Sequence, residues 1–95
     1  MLIFRPEVRE ELDDAYSWYE AQQSGIGDDF LACVDETLAR ILQMPKSYPV
    51  IYQDVRRAVV RSFPYAVYYR IVSEGTLVIA IFHGRRDPKV GQKRT

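Results

Sequence analysis

Residues 65–82 read YAVYYRIVSEGTLVIAIF, and this stretch decides the fold because it contains two strands joined by a tight turn. Residues 65–72 are rich in Tyr, Val and Ile, which favour β-structure. Residues 73–75 predict the turn, in which Gly75 tolerates a positive φ angle. Residues 76–82 are apolar on both alternating faces, a pattern typical of a central or doubly covered strand. The stretch therefore predicts an antiparallel hairpin that includes a central strand.

The residues outside this hairpin predict two more strands. Polar and apolar side chains alternate over residues 57–63, and this period of two residues is typical of a strand. This alternation puts Arg57 and Arg61 on the same face. Residues 2–4 form a short apolar stretch that we expect to pair beside the resulting three-stranded meander.

Two amphipathic helices are predicted between the first strand and the meander. One spans about residues 7–23, because Pro6 suits the first helical position and the apolar residues recur on one helical face. The other has Asp28 or Asp29 as its N-cap and ends at Met44, which precedes a proline. The linker between them is short, so the helices must form an antiparallel hairpin.

The elements occur in the order β-α-α-β-β-β, which predicts an α+β fold. A helical hairpin is expected to pack on one face of a small, mainly antiparallel sheet. A length of 95 residues predicts a single domain over residues 1–95, with a loose end from about residue 89.

Composition points to a globular protein of a reducing compartment. The chain is 47% hydrophobic and has 1 cysteine, Cys33, so an internal disulfide is impossible. No apolar run approaches the ~20 residues that span a bilayer, and residues 1–4 are too short for a signal peptide. We therefore expect a cytoplasmic protein without a membrane association.

The net charge of zero hides a division of charge along the chain. Residues 1–54 contain 4 Lys/Arg and 11 Asp/Glu, whereas residues 55–95 contain 9 Lys/Arg and 2 Asp/Glu. The first part therefore carries −7 and the second +7. Such a division predicts a dipolar surface with one face suited to phosphates or acidic peptides.

The densest polar cluster, HGRRDP at residues 83–88, follows the last predicted strand and contains the only histidine. Arg57, Arg61 and Arg70 lie on neighbouring predicted strands and are expected to extend the same basic patch. Guanidinium groups bind phosphate and carboxylate in a bidentate manner. His83 is suited to general acid or base chemistry near neutral pH.

Each of these features also has a purely structural interpretation. His83 can serve as a hydrogen-bonding structural residue, and Arg86 with Asp87 can form a local ion pair. The tyrosines of residues 65–69 are able to stack on bases, but also to fill the core. One Cys and one His are too few ligands for a zinc site, and a Gly-rich phosphate loop is absent. We expect neither a metal nor a cofactor.

Three stretches resemble the RelE/ParE toxin superfamily, and the resemblance extends to about Pro88. The first is RPEV at residues 5–8, followed by Trp18-Tyr19. The second is RRAVVRSFPY at residues 56–65, which continues into VYYR at residues 67–70. The third is IFHGRRDP at residues 81–88. The last stretch resembles the ParE branch in particular.

The resemblance implies the toxin of a type II toxin–antitoxin module of the plasmid stabilisation type, with the RelE/ParE-like fold. A cognate antitoxin would then fold across the helices and the sheet, and operator DNA would be contacted only through that antitoxin. The expected antitoxin-binding residues are Leu12, Tyr16, Tyr19, Leu38 and Arg70. The ParE branch is associated with DNA gyrase, and the RelE branch with mRNA cleavage on the ribosome.

Two departures from the nuclease branch favour a non-enzymatic, target-binding toxin. Tyr65 is followed by Ala66 instead of arginine, and no tyrosine follows Tyr69. An mRNA endonuclease would have to rely on His83, Arg86 and Arg61, which keeps this alternative open. A third alternative is an inactive member that only binds the antitoxin and represses the operon with it. The predicted target-binding residues are Arg57, Arg61, His83, Arg85 and Arg86.

Overall fold

The computed structural model describes residues 1–84. In chain order its elements are β1 Leu2–Phe4, α1 Pro6–Gln22, α2 Ile26–Gln43, β2 Val50–Tyr52, β3 Val55–Val59, β4 Tyr65–Val72 and β5 Gly75–His83. Arg85, Arg86 and the loose end predicted from about residue 89 lie outside the described residues.

The strands form one sheet in the order β1-β5-β4-β3-β2. β1 pairs with β5 in parallel, from Leu2 opposite Thr76 to Phe4 opposite Val78. All other neighbouring strands are antiparallel. β5 lies between β1 and β4, and its residues 78–82 are at most 1% exposed. The predicted central strand and the mainly antiparallel sheet are therefore confirmed.

The two helices form the predicted hairpin, and a glutamate side chain fixes their junction. Gly25 has a φ of 95°, which reverses the chain without the steric cost of a Cβ atom. The Glu20 Oε1 atom accepts hydrogen bonds from the backbone N–H groups of Gly25 at 2.9 Å and Gly27 at 2.8 Å. α2 begins at Ile26, so the prediction of Asp28 or Asp29 as the N-cap is wrong. Both aspartates lie in its first turn, where they complement the helix dipole.

Both faces of the sheet carry buried apolar residues. On one face the helices pack over β3, β4 and β5, and this core includes Val8, Phe30, Ile41, Tyr69 and Ile81. The Tyr69 side chain is completely buried, and its hydroxyl donates to the Pro45 carbonyl oxygen at 2.6 Å. A second cluster consists of Val55, Ala66, Tyr68, Ile79, Ala80 and Phe82. The apolar residues on the two faces of the strands thus form two separate buried layers, one on each face of the sheet.

The sheet differs from the prediction before β4. Val50–Tyr52 forms an additional edge strand, β2, paired with β3. The strand predicted over residues 57–63 is observed as Val55–Val59 instead, and residues 61–63 form a turn. Ser62 adopts a φ of 69°, which a continuing strand does not permit. Arg57 and Arg61 therefore do not share a strand face.

One edge of β5 is covered by two different elements. The Arg5 backbone N–H donates to Val78 O at 3.0 Å, immediately after the last residue of β1. Further along β5, the Ile81 backbone N–H donates to the Glu11 Oε1 atom on α1 at 3.0 Å. The first part of this edge is paired by a strand, and the later part is contacted by a helix side chain.

Candidate functional site

The candidate site lies where β4 begins and β5 ends. Tyr65 is opposite His83 in the antiparallel register, and their ring centroids are 5.6 Å apart. The Gly84 N–H donates to the Pro64 carbonyl oxygen at 2.8 Å, which holds the two chain segments together beyond the last strand pair. The backbone thus places the imidazole and the phenol side by side on one face of the sheet.

An aromatic cluster beneath the helices supports this pair. The Tyr65 ring lies 5.1 Å from Phe30 and 6.0 Å from Tyr19, centroid to centroid. Phe63 completes the cluster, 4.9 Å from Tyr19 and 5.3 Å from Phe30. Burial raises the pKa of Tyr19 above its ordinary value. Edge-to-face pairs contribute roughly 0.5–1.5 kcal/mol each beyond area burial, so the cluster fixes the orientation of Tyr65.

Two clefts share the Tyr65–His83 pair as a common wall. The first, which we call the arginine cleft, has a volume of about 270 Å³. The second, which we call the tryptophan cleft, has a volume of about 360 Å³. The arginine cleft is lined by Arg57, Val59, Pro64, Tyr65, Ala66, His83 and Gly84. The tryptophan cleft is lined by Trp18, Tyr19, Pro64, Tyr65 and His83.

The arginine cleft combines two of the predicted target-binding residues. Arg57 is half-buried on β3, opposite Tyr68 in the register, and reaches the same cleft as His83. Val59 on the same strand is 65% exposed and adds an apolar surface. A guanidinium and an imidazole beside an apolar surface can bind a carboxylate or a phosphate together with an apolar group.

Arg61, in contrast, points toward α2. Its Nε and Nη2 atoms donate to Glu36 Oε2 at 3.1 and 3.0 Å, and this hydrogen-bonded carboxylate raises the pKa of Arg61. Glu36 also binds Arg40 Nη2 at 2.7 Å. Arg61 lines neither of the two clefts, so the structure does not bring it together with His83. Of the three arginines expected to share a patch with His83, only Arg57 lines a cleft with it among the described residues.

Arg70 lies toward the opposite end of β4, where its Nη2 atom is 2.9 Å from Asp54 Oδ2. Leu12, Tyr19 and Leu38 are partly buried against the helix-side core. Tyr16 packs on the helix junction, and the nearby Asp28 carboxylate raises its pKa. Of these antitoxin-binding candidates, only Tyr19 lines either of the two clefts, so a partner that covers all of them must extend well beyond the strand end.

Trp18 is a candidate binding residue that sequence reasoning missed. It is 59% exposed, packs edge-to-face on Tyr19 at 5.0 Å and lines the tryptophan cleft. Exposed tryptophans are enriched among residues that dominate binding energies. The signal was a large aromatic residue outside the apolar stripe of α1, on the helix face of Asp14 and Glu11 at i−4 and i−7.

Within residues 1–84, no three His, Cys, Asp or Glu side chains are grouped closely enough to hold a metal ion. No helix in the same range is long and apolar enough to cross a bilayer. Among the described residues, the strand end offers one guanidinium group, one imidazole and several aromatic rings.

Comparisons with known proteins agree with this architecture. The sequence profile of a family described as "ParE toxin of type II toxin-antitoxin system, parDE" matches residues 2–88. The chain is 30% identical over 82 residues to Toxin ParE2 of Mycobacterium tuberculosis, in strains CDC 1551 and H37Rv alike. The match covers 85% of this chain and 78% of the relative.

A solved structure shares the fold. It is titled "Chromosomal ParDE TA system from P. aeruginosa", and the similarity covers 86% of this chain and 92% of that one, with a TM-score of 0.65. The two sequences are 15% identical, so this likeness bears on the fold alone. The profile match over nearly the whole chain, together with the relative, shows the family: this chain belongs to the ParE toxins of type II toxin–antitoxin systems.

Proposed function

We propose that this ParE-family toxin arrests growth by binding a target protein, DNA gyrase, through the arginine cleft, and that it makes and breaks no bonds itself. The observation that carries the proposal is the pairing of Arg57 and His83 in one cleft while Glu36 holds Arg61 elsewhere. This arrangement suits recognition of an acidic and apolar surface. Arg61, one of the two arginines that the endonuclease alternative offers for binding phosphate, is held by Glu36 on the α2 side instead.

We further propose that a cognate antitoxin neutralises the toxin in the cytoplasm by folding across α1, α2 and the sheet. Contact with operator DNA would then run only through the antitoxin. The type II family supports this partner, because antitoxin and toxin are the two components of such a system. The exposed Trp18 and the partly buried Leu12, Tyr19 and Leu38 offer apolar contacts to a long, flexible segment.

A supercoiling assay tests the target. Purified toxin added in excess to DNA gyrase and relaxed plasmid should reduce supercoiling, and the pre-formed toxin–antitoxin complex should not. Undiminished supercoiling at excess toxin would count against gyrase. A chain that causes no arrest when expressed without its antitoxin would instead support the inactive, co-repressing member.

A ribosome-dependent mRNA endonuclease is the second candidate, and one arrangement favours it. His83, Tyr65 and Arg57 together provide an acid/base group, a hydroxyl donor and a cation in one cleft. Replacement of His83 by Gln removes the titratable group while keeping a hydrogen-bonding side chain. If growth arrest persists in H83Q and no cleaved mRNA accumulates in the wild type, the endonuclease interpretation fails.

A further inference from the structure

A third cleft lies at the junction of β1 and α1, far along the chain from the strand end. It has a volume of about 330 Å³, which is at the lower end of the ~300–1,000 Å³ typical of ligand clefts. We call it the Phe4 groove. It is lined by Phe4, Arg5, Pro6, Val8, Arg9 and Leu12.

The Phe4 groove is apolar inside and basic at its rim. Phe4 is 46% exposed, although it is a large apolar side chain, and Val8 beneath it is 1% exposed. Leu12 packs partly against the core one turn further along α1. The groove therefore presents the Phe4 ring and part of Leu12 to a partner, above a floor formed by Val8, and burying this exposed apolar surface would be favourable.

The basic rim is unusual for this part of the chain. Residues 1–54 contain 4 cations against 11 carboxylates, yet 2 of the 4 cations, Arg5 and Arg9, line this one groove. The Arg9 side chain is 87% exposed, and its Nε lies 3.9 Å from the Asp13 carboxylate, itself 72% exposed. An ion pair that long and exposed contributes little, so Arg9 can exchange Asp13 for a stronger partner.

The start of α1 adds to the same potential. The helix begins at Pro6, inside the groove, so the positive end of its dipole faces the same space as the two guanidinium groups. Glu7 lies in the first turn of α1 but does not line the groove. The acidic residues further along α1, including Glu10 and Asp14, repel a carboxylate placed elsewhere on the helix. A negatively charged group on a partner is thereby directed to this groove.

We propose that the Phe4 groove binds a segment of the cognate antitoxin in which an apolar side chain lies next to a carboxylate. The apolar side chain packs against Phe4 and Leu12 above the buried Val8, and the carboxylate binds Arg9. The inference rests on the antitoxin proposed above as the partner. It adds to that function a defined contact on the acidic half of the chain, separate from the strand-end clefts.

The test uses the toxin–antitoxin complex with the antitoxin from the neighbouring reading frame. Antitoxin binding to wild type, R9E and F4A is measured by surface plasmon resonance at low and physiological salt. R40E is the matched control, because Arg40 is also an exposed helix arginine but is paired with Glu36. We expect R9E to weaken binding by about tenfold or more, mainly through slower association at low salt, and R40E to stay within about twofold.

A charge exchange identifies the carboxylate. Each Asp and Glu of the antitoxin segment is changed to Lys in turn, and one of these variants should restore binding to R9E. Wild-type binding of R9E and F4A would overturn the groove while leaving the antitoxin function intact. A wild-type toxin that binds no antitoxin would overturn both. Arg9-dependent dimerisation of the toxin alone, seen by analytical ultracentrifugation, would assign the groove to a second copy and overturn the proposed occupant.

Discussion

The outer side of α2 and the strand end hold their basic residues in different ways. On α2, the Glu36 carboxylate accepts hydrogen bonds from both Arg40 and Arg61, so these two guanidinium groups are paired within the chain. At the strand end, Arg57 and His83 line a cleft whose described lining contains no carboxylate. Arg57 and Arg61 are close in sequence, yet one faces a cleft and the other a helix. Position in the fold, more than the number of basic residues, decides which charges can reach a partner.

The two regions also differ in what supports them. The strand end rests on Phe30, Phe63, Tyr19 and Tyr65, which pack ring against ring, with Phe30 fully buried and the other three partly buried. The Glu36 cluster lies at the surface, where its three side chains are 33% to 64% exposed. Removing a buried ring should therefore disturb the cleft strongly, whereas removing a surface ion pair should have little effect on stability.

Replacement of Phe30 by Ala should have the largest effect. Phe30 is completely buried between Tyr19, Phe63 and Tyr65, so its loss leaves a cavity beneath the strand end. We expect the free energy of unfolding to fall by about 3–5 kcal/mol, measured by urea denaturation. V59A is the control, since Val59 is 65% exposed and should cost less than about 0.5 kcal/mol. Equal losses in the two variants would contradict the supporting role of the aromatic cluster.

Charge reversal at Arg57 should have the next largest effect, and it acts on function. R57E places a carboxylate in the cleft that we propose for the target, so target affinity should fall by about tenfold or more, or roughly 1.4 kcal/mol. Growth arrest on expression without antitoxin is the readout. R61E is the matched control, because Arg61 lines no strand-end cleft and should keep its toxicity. The comparison between the two regions breaks down if R61E loses toxicity as fully as R57E does.

Removal of the Glu36 charge should have the smallest effect. E36Q takes away the acceptor shared by Arg40 and Arg61, but these ion pairs are exposed to solvent and screened by salt. We expect the free energy of unfolding to fall by about 0.2–1 kcal/mol at low salt, and by less in high salt. A loss of several kcal/mol that salt does not reduce would show that the α2 surface is as important to the fold as the aromatic cluster.

Most of the fold could be predicted because it follows local periodicity. The apolar stripes of the helices, the turn at Gly75 and the doubly apolar β5 each leave a pattern within a few consecutive residues. β2, Val50–Tyr52, was missed because it is too short to show a period and directly follows the loop-forming segment at residues 47–49, whereas the equally short β1 stood out as an isolated apolar stretch. The turn at Ser62 was missed because the alternation simply continues past the real end of β3.

The candidate site was predictable only in part. His83 and Arg57 were identified by residue type and by their place on neighbouring strands, and the structure brings them to one cleft. The diversion of Arg61 was not predictable, because its partner Glu36 is 25 residues away in the sequence. Trp18 was overlooked as a binding residue because its cleft forms only when α1 packs beside β4 and β5. Both features depend on contacts between segments that are distant in sequence, and local periodicity does not encode such contacts.

The parallel pairing of β1 with β5 has a consequence for how this toxin is made. Leu2 lies opposite Thr76, so the first strand to be synthesised waits for the last strand to emerge before the sheet can be completed. Contacts between such distant segments also slow folding, because a long loop must close before they form. The strand-end clefts depend on the same last strand, since His83 belongs to β5. A nascent or prematurely terminated chain that lacks β5 is consequently without these clefts, and we expect the target binding proposed for them to arise only when translation of the sheet is finished.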